Sequence, residues 1–333
     1  AELLLVAPAL EARGQAAMAG WKRPLPQWTI PLHSASDEWI APADPAIGAT
    51  LIYTSGTTGT PKGCLRTESQ ERARAEELIA TYGISSSDVQ LIASPLAHSG
   101  PGIFLRAGRL AGARTVLMPK FDAETALAAI DDYRVSFFFM VPTQYERLLA
   151  LPKPVRDRYD VSSVRAAIVA GAPIRPETKK RIVEWLGPVL WEFYGSSETG
   201  TVAALAPRDG ETHPSSVGRL VGGVGVRIVD PNGAEVPHES VGEIFVRSPT
   251  VMQGYTVAGS HRIEQRDDYI SVGDLGMLDS QGFLYLKDRV NDTIISGGGN
   301  VYPAEIEQAL SEHPTVTQCI VFGREDDDWG QRV

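Results

Sequence analysis

The sequence predicts an α/β fold: a large domain with βαβ-type mixed sheets and a small β-barrel-like subdomain, followed by the start of a small α+β lid. Three observations lead there. Through the middle of the chain, strand-length apolar runs alternate with helix-length segments, the pattern of a parallel or mixed sheet with packed helices. After about residue 200 the segments become short, glycine-rich and β-branched, as in antiparallel strands or a small barrel. A glycine turn, a helix and a strand then follow as a new α+β unit. Residues 1–290 are read as the large domain and 291–333 as the beginning of the small one.

Taken in order, Ala1–Pro8 reads as a helix end running into a strand, and Thr50–Thr54 is a short apolar strand. Glu68–Tyr82 is a charged, alanine-rich helix, Val89–Ser94 a strand, Gly102–Leu110 a helix and Arg114–Met118 a strand. Asp122–Tyr133 carries Ala126, Leu127 and Ile130 at helical spacing, with Asp122 a good N-cap. Val135–Val141 is a buried strand closed by Pro142, and Arg165–Ala170 is another. Pro176–Leu186 is a helix with proline in its first turn, followed by a strand at Val189–Phe193. The short strands are Val224–Val229, Gly242–Arg247, Tyr269–Val272 and Gly282–Leu286, with an Asn232-Gly233 turn among them. Thr293–Ile295, the Gly297–Gly299 turn, a helix at Pro303–Glu312 and a strand at Val316–Phe322 complete the chain. Both ends read as cut, so a piece of a longer chain is expected.

Hydrophobic residues make up 43% and charged residues 22% of the 333, ordinary for a globular chain. No run approaches the roughly 18 apolar residues of a membrane span. A net charge of −10 argues against a nucleic-acid binder that relies on bulk positive charge, yet a nest of backbone N–H groups can hold phosphate inside an acidic protein. Two cysteines, Cys64 and Cys319, permit no disulfide framework or zinc cluster, so a cytoplasmic location is the expectation. Six scattered histidines offer no metal pair, and the acidic run Glu325–Asp328 reads as solvated surface.

The most informative stretch is Leu51–Thr67, LIYTSGTTGTPKGCLRT. A strand ends in Thr54, Ser55, Gly56, Thr57, Thr58 and Gly59, and then Lys62 follows Pro61. Glycines let backbone N–H groups converge on an anion, hydroxyls add donors, and the lysine supplies a point charge. It is not a Walker A loop, because Pro61 and Gly63 flank the lysine where Gly and Ser or Thr are required. Nor is Gly195-Ser-Ser-Glu-Thr a nucleophile elbow, which needs glycine two places after the serine. Read without context, the loop is also a plain turn after a strand.

This loop resembles the phosphate loop of the adenylate-forming superfamily, and the superfamily's other blocks follow in order. Pro95–Gly100 (PLAHSG) is similar to the next motif, with His98 beside the acyl and phosphate region, and Gly171-Ala172-Pro173 to the segment lining adenine. Tyr194-Gly195-Ser196-Ser197-Glu198 resembles the Tyr-Gly-x-Thr-Glu motif with serine for threonine, and Val272-Gly273-Asp274 the Thr-Gly-Asp motif. Lys287-Asp288-Arg289 through Glu307 resembles the domain junction and the glycine turn after it. The resemblance implies that Glu198 holds Mg²⁺ with the ATP phosphates, as a hard cation that keeps several waters needs only one or two carboxylates. It implies that Ser197 and Lys62 address phosphate, that Tyr194 stacks on adenine, that Asp274 accepts the ribose hydroxyls and that Arg289 adds a donor. It makes Lys62, Glu198 and His98 the catalytic candidates. Read alone, Tyr194 is a core residue, Gly273-Asp274 a common turn and His98 a packed side chain.

The acyl-CoA synthetase branch fits better than an amino-acid-activating domain, because PLAHSGPGIFLRAG holds no carboxylate to grip an ammonium. The implied reaction joins a small fatty or aryl carboxylic acid to CoA in two steps: attack on the α-phosphate of Mg·ATP, then thiolysis of the acyl-adenylate. The superfamily places a hinge where Asn291 stands and a lysine near the end of the small domain, and no segment here resembles that lysine's. A nucleotide-binding pseudoenzyme or inactive fragment shares every motif above.

Overall fold

The structure, a computed structural model, describes residues 4–6, 27–29, 49–54, 62–255, 263–297, 299–311, 313, 315–316, 319–326 and 328–333. The chain divides into two compact units, Ala1–Asp44 and Pro45–Val333. In the first, Leu4–Val6 pairs in parallel with Gln27–Thr29.

Five apolar runs of the second unit form parallel strands in the spatial order Arg114–Leu117, Val89–Ile92, Phe137–Met140, Ala166–Val169, Leu190–Ser196. The connections carry the helices Ser99–Ala111, Ala123–Asp132, Pro142–Ala150 and Pro176–Leu186. Side chains alternate across each strand, so one sequence run feeds two cores. Phe138 and Met140 pack with Leu127, Ile130, Tyr145 and Ile182 on one face. Phe137 and Phe139 pack with Leu78, Tyr82, Ile103 and Phe104 on the other. Burial on both faces is why these strands read as continuous apolar runs. The strand ends at Met140, ahead of Pro142 as expected, and Pro142 also opens a helix at its first position.

The sheet continues beyond Leu190–Ser196 as antiparallel strands: Gly200–Leu205, Gly218–Leu220, Phe283–Arg289, Tyr269–Leu278, Gly242–Arg247 and Gly225–Val229. Val202 and Ile228 lie at opposite ends of that series yet share one core with Ile244, Val246 and Leu284. The antiparallel half is therefore curled on itself, the barrel-like piece expected. A separate hairpin pairs Ala49–Thr54 with Lys62–Thr67 in antiparallel register, Thr54 opposite Lys62, and Gly254–Tyr255 adds a third strand at its edge. Helix Glu68–Tyr82 starts immediately after it, with Thr67 and Gln70 forming a capping box.

The C-terminal segment departs from expectation. Among the described residues of 316–322 none is in a strand. The Val321 N–H donates to the Glu307 carboxylate at 2.8 Å, tying this backbone to helix Pro303–Ser311 rather than to a sheet partner. The strands lie further on, where Arg324–Asp326 pairs with Gly330–Arg332 and the latter with Ile294–Ser296. Part of the acidic run makes that hairpin's turn, since Asp326 Oδ1 accepts the N–H groups of Asp328 and Trp329.

Candidate functional site

In a parallel sheet all carboxyl ends lie on one edge, and ligands bind in the crevice there, where the strand order reverses. The reversal here falls between Val89–Ile92 and Phe137–Met140. His98 follows the first of these by a short turn, Gly171-Ala172-Pro173 follow Ala166–Val169, and Glu198 follows Leu190–Ser196. The opposite edge has a different character. There Asp88 accepts two bonds from Arg165 at 2.8 Å, one from the Ser136 hydroxyl and one from the Ser85 N–H, tying three strand starts together. Burial opposes its ionisation, but those bonds together hold its carboxyl well below the usual range.

Asp274 is reached through the antiparallel half. It stands opposite Arg289 in the register of its strand pair, and the Arg289 Nε lies 3.2 Å from Oδ1. Tyr194, eighty residues earlier, donates its hydroxyl to Oδ2 at 2.6 Å. One carboxylate thus joins the two sheet halves, 9% exposed, with burial pushing its pKa upward against the pull of both partners. Burial likewise pushes the Tyr194 phenol well up, so it is a neutral donor.

The turn after Tyr194 is locally determined. The Ser196 hydroxyl accepts the N–H groups of Glu198 and Thr199 at 3.1 Å each, which turns the chain and projects residues 197–198. Gly195 is required because a Cβ there would lie 2.2 Å from the Gly200 carbonyl oxygen across the hairpin. The Glu198 carbonyl accepts from Met252, and its Oε1 accepts the Tyr255 hydroxyl at 2.6 Å.

Facing it is the outgoing strand, Lys62–Thr67, of the hairpin that begins at Ala49. Lys62, Cys64 and Arg66 share one side of that strand by the period of two. The Lys62 ammonium sits 5.4 Å from the centre of the Tyr255 ring. Burial, and then the charge of Glu198, push the Cys64 thiol up to about 12, so it is inert as a nucleophile at neutral pH. Arg66 is fully buried; its Nε donates to the Thr250 carbonyl at 3.2 Å, while both terminal nitrogens have no hydrogen-bond partner among the described residues. Burial, and then the neighbouring Arg74, lower its pKa to about 10.

Of the residues singled out by sequence, the structure brings Lys62 and Glu198 together around Tyr255, and Tyr194, Arg289 and Asp274 together. Thr54 starts the loop, with its hydroxyl 3.4 Å from the Lys62 carbonyl. Ser55, Gly56, Thr57, Thr58 and Gly59, and Gly298 of the glycine turn, lie outside the described residues. Gly171, at φ +90°, begins an exposed turn with Ala172 and Pro173 on the same edge. His98 is an exposed N-cap of helix Ser99–Ala111 whose side chain makes no cap bond. Sequence reasoning passed over Tyr255, Arg66 and Thr250. No local signal marked them, because their partners lie far off in sequence. Among the described residues no three His, Cys, Asp or Glu side chains form a metal cluster, and no helix is long and apolar enough to cross a membrane.

Comparison with known proteins agrees with this geometry. A sequence profile described as AMP-binding enzyme matches residues 4–256, and one described as AMP-binding enzyme C-terminal domain matches 305–333. The chain is 38% identical over 300 residues to an indoleacetate–CoA ligase of Aromatoleum aromaticum, covering 88% of this chain and 58% of that protein. It is 36% identical over 289 residues to a 2-succinylbenzoate–CoA ligase of Bacillus licheniformis, covering 85% and 58%. Among solved structures, the amide bond synthetase McbA of Marinactinospora thermotolerans superposes with a TM-score of 0.87 at 29% identity, covering 99% of this chain and 68% of that one. The o-succinylbenzoate CoA synthetase of Bacillus subtilis bound to its acyl-adenylate gives 0.84 at 30%, covering 99% and 67%. The chain spans about six tenths of the length of the curated relatives it matches. A profile match over most of the sequence, on a fold whose carboxyl edge gathers the same motifs, establishes that this chain belongs to the AMP-binding enzyme family, within the adenylate-forming superfamily.

Proposed function

We propose that this chain carries the nucleotide and acid site of an AMP-forming acid–thiol ligase of the acyl-CoA synthetase type, with ATP, CoA and a small carboxylic acid as substrates. The observation that carries the reading is the arrangement along the sheet's carboxyl edge: a ribose-type acceptor, Asp274, held by Tyr194 and Arg289, and a phosphate-type pair, Lys62 and Glu198, set around Tyr255. In this reading Asp274 takes the ribose hydroxyls, and Tyr194 and Gly171–Pro173 line the adenine. Thr54–Lys62 supply donors to the phosphates, helped by Ser197. His98 and the start of helix Ser99–Ala111 border the acid. No carboxylate lies between Pro95 and Gly108, so a neutral acyl or aryl tail suits the pocket better than an amino acid.

A carboxylate oxygen of the acid attacks the α-phosphorus, the bond to the β-phosphate oxygen breaks, and pyrophosphate leaves. The CoA sulfur then attacks the adenylate carbonyl, losing its proton, and AMP departs. Side chains here orient the reactants and stabilise charge. One carboxylate, Glu198, beside a hydroxyl is a donor set that suits Mg²⁺ carried in on phosphates. The metal, when bound, neutralises charge on the leaving pyrophosphate. Residues 291–333 are proposed as the start of the mobile small domain, linked through Asp288, whose Oδ2 accepts the Ala304 N–H at 3.0 Å.

The test is carboxylate-dependent pyrophosphate release across fatty and aryl acids, with Glu198→Gln alongside. The substitution keeps the shape and removes the charge, and its rate should fall about 10²-fold at limiting Mg²⁺. Release from no acid, with AMP still bound, would favour a nucleotide-binding protein without turnover.

A further inference from the structure

We infer that Tyr255 is a positioning residue that holds Glu198 and Lys62 apart: its hydroxyl fixes the carboxylate at one end while its ring face carries the ammonium. The inference rests on the nucleotide-binding reading above and concerns a residue that the motifs do not include.

The placement is built from the backbone. Tyr255 pairs with Cys64 and Gly254 with Leu65, so the ring emerges beside the strand that carries Lys62. The segment before it is strapped to the Glu198 turn and to the hairpin. The Met252 N–H donates to the Glu198 carbonyl and the Gln253 N–H to the Leu65 carbonyl. The Thr250 hydroxyl donates to the Thr199 carbonyl, and the Thr250 carbonyl receives Arg66. Gln70, from the helix after the hairpin, donates to the Val251 carbonyl at 2.8 Å. The side chain therefore stands between two elements whose separation it can set.

A carboxylate and an ammonium on facing elements, unconstrained, attract one another, and a closed ion pair would leave neither for a ligand. Among the described residues no ion pair joins Lys62 to Glu198. Instead the phenol O–H occupies one oxygen of Glu198 at 2.6 Å, and a carboxylate keeps further lone pairs for a ligand. The lysine is held 5.4 Å from the ring centre, a weak contact that a polyphosphate can outcompete. A single side chain thus presents one negative and one positive group to a metal–phosphate ligand without their cancelling.

Two substitutions separate the roles. Tyr255→Phe keeps the ring and loses the hydroxyl; Tyr255→Leu loses both. ATP binding is followed by calorimetry without metal and across a Mg²⁺ series, with Mn²⁺ binding read by electron paramagnetic resonance and folding by near-ultraviolet circular dichroism. For Tyr255→Phe, metal-free ATP affinity should stay within about twofold while half-saturating Mg²⁺ and Mn²⁺ concentrations rise about tenfold. For Tyr255→Leu, metal-free affinity should also fall about tenfold, and adding Glu198→Gln should restore it by freeing Lys62. An unchanged metal requirement in Tyr255→Phe overturns the inference, and that variant decides the matter if Tyr255→Leu does not fold. Unchanged metal-free affinity in a folded Tyr255→Leu overturns it as well. A parent chain that binds no ATP at any Mg²⁺ concentration overturns the nucleotide-site reading, and this inference with it.

Discussion

Asp274 shows what a single buried carboxylate demands. With only 9% exposure it needs partners for its charge, and it takes one donor from each half of the sheet. Those bonds aim it but leave lone pairs for a ligand diol. Asp274→Ala should weaken ATP and AMP equally, by about 10–100-fold, since the ribose is common to both and hydrogen bonds to a charged group are worth roughly 1.5–3 kcal/mol. Titration calorimetry with each nucleotide checks this; a loss confined to ATP would move Asp274 to the phosphates. Gly195 makes the complementary point. Gly195→Ala should lower stability by about 1–3 kcal/mol, seen as a reduced denaturant midpoint, because the added methyl meets backbone oxygen that cannot move aside.

Helix Glu68–Tyr82 departs from simple amphipathicity because part of its inner face is charged. Glu71 and Arg74 are buried and bonded to each other at 2.9 Å, and Arg74 reaches the Ser99 hydroxyl at 3.0 Å. Two turns on, burial raises Glu77 to about 7 from an ordinary 4.5, against help from Thr201 and Arg74. The folded state then binds that proton more tightly than the unfolded chain, so stability falls as pH rises from about 4.5 to about 7. Glu77→Gln should therefore stabilise the protein at pH 8 by about 1–3 kcal/mol and do little near pH 4, which thermal melts at both values will show. Asp88, with its pKa depressed, works in the other sense. Its contribution is present above the unfolded carboxylate range and is lost as pH falls through the lower, folded value. Asp88→Ala should cost about 2–4 kcal/mol at neutral pH and leave AMP affinity unchanged, because it joins strand starts on the edge away from the site.

At the scale of the second unit, stability and function occupy opposite edges of one sheet. Every proposed nucleotide contact, from Thr54 to Arg289, precedes the proposed hinge at Asn291. The three largest cores also lie before it. A chain ended at Val290 should thus keep AMP affinity to within about twofold, as sites that share no partners contribute independently. A larger loss in calorimetry would mean that residues 291–333 complete the nucleotide site.

Local chemistry determined much of this protein. Apolar runs bounded by Gly and Pro marked the parallel strands, because burial on both faces leaves no room for alternation. Pro176 and Asp122 marked helix starts, because a missing N–H or a capping oxygen acts within one turn. The ordered motifs marked Lys62 and Glu198, at a strand end and a turn, and Asp274, which sits mid-strand next to Gly273 at φ +82°. Tertiary structure alone decided the rest. Val316–Phe322 has the composition of a strand, but the backbone at Val321 is tied to Glu307 instead. Tyr255 reaches Glu198 only because its strand pairs with Cys64 and meets a turn fifty-seven residues earlier in the chain. Such contacts depend on which distant segments a register brings together, and no periodicity within either segment encodes that.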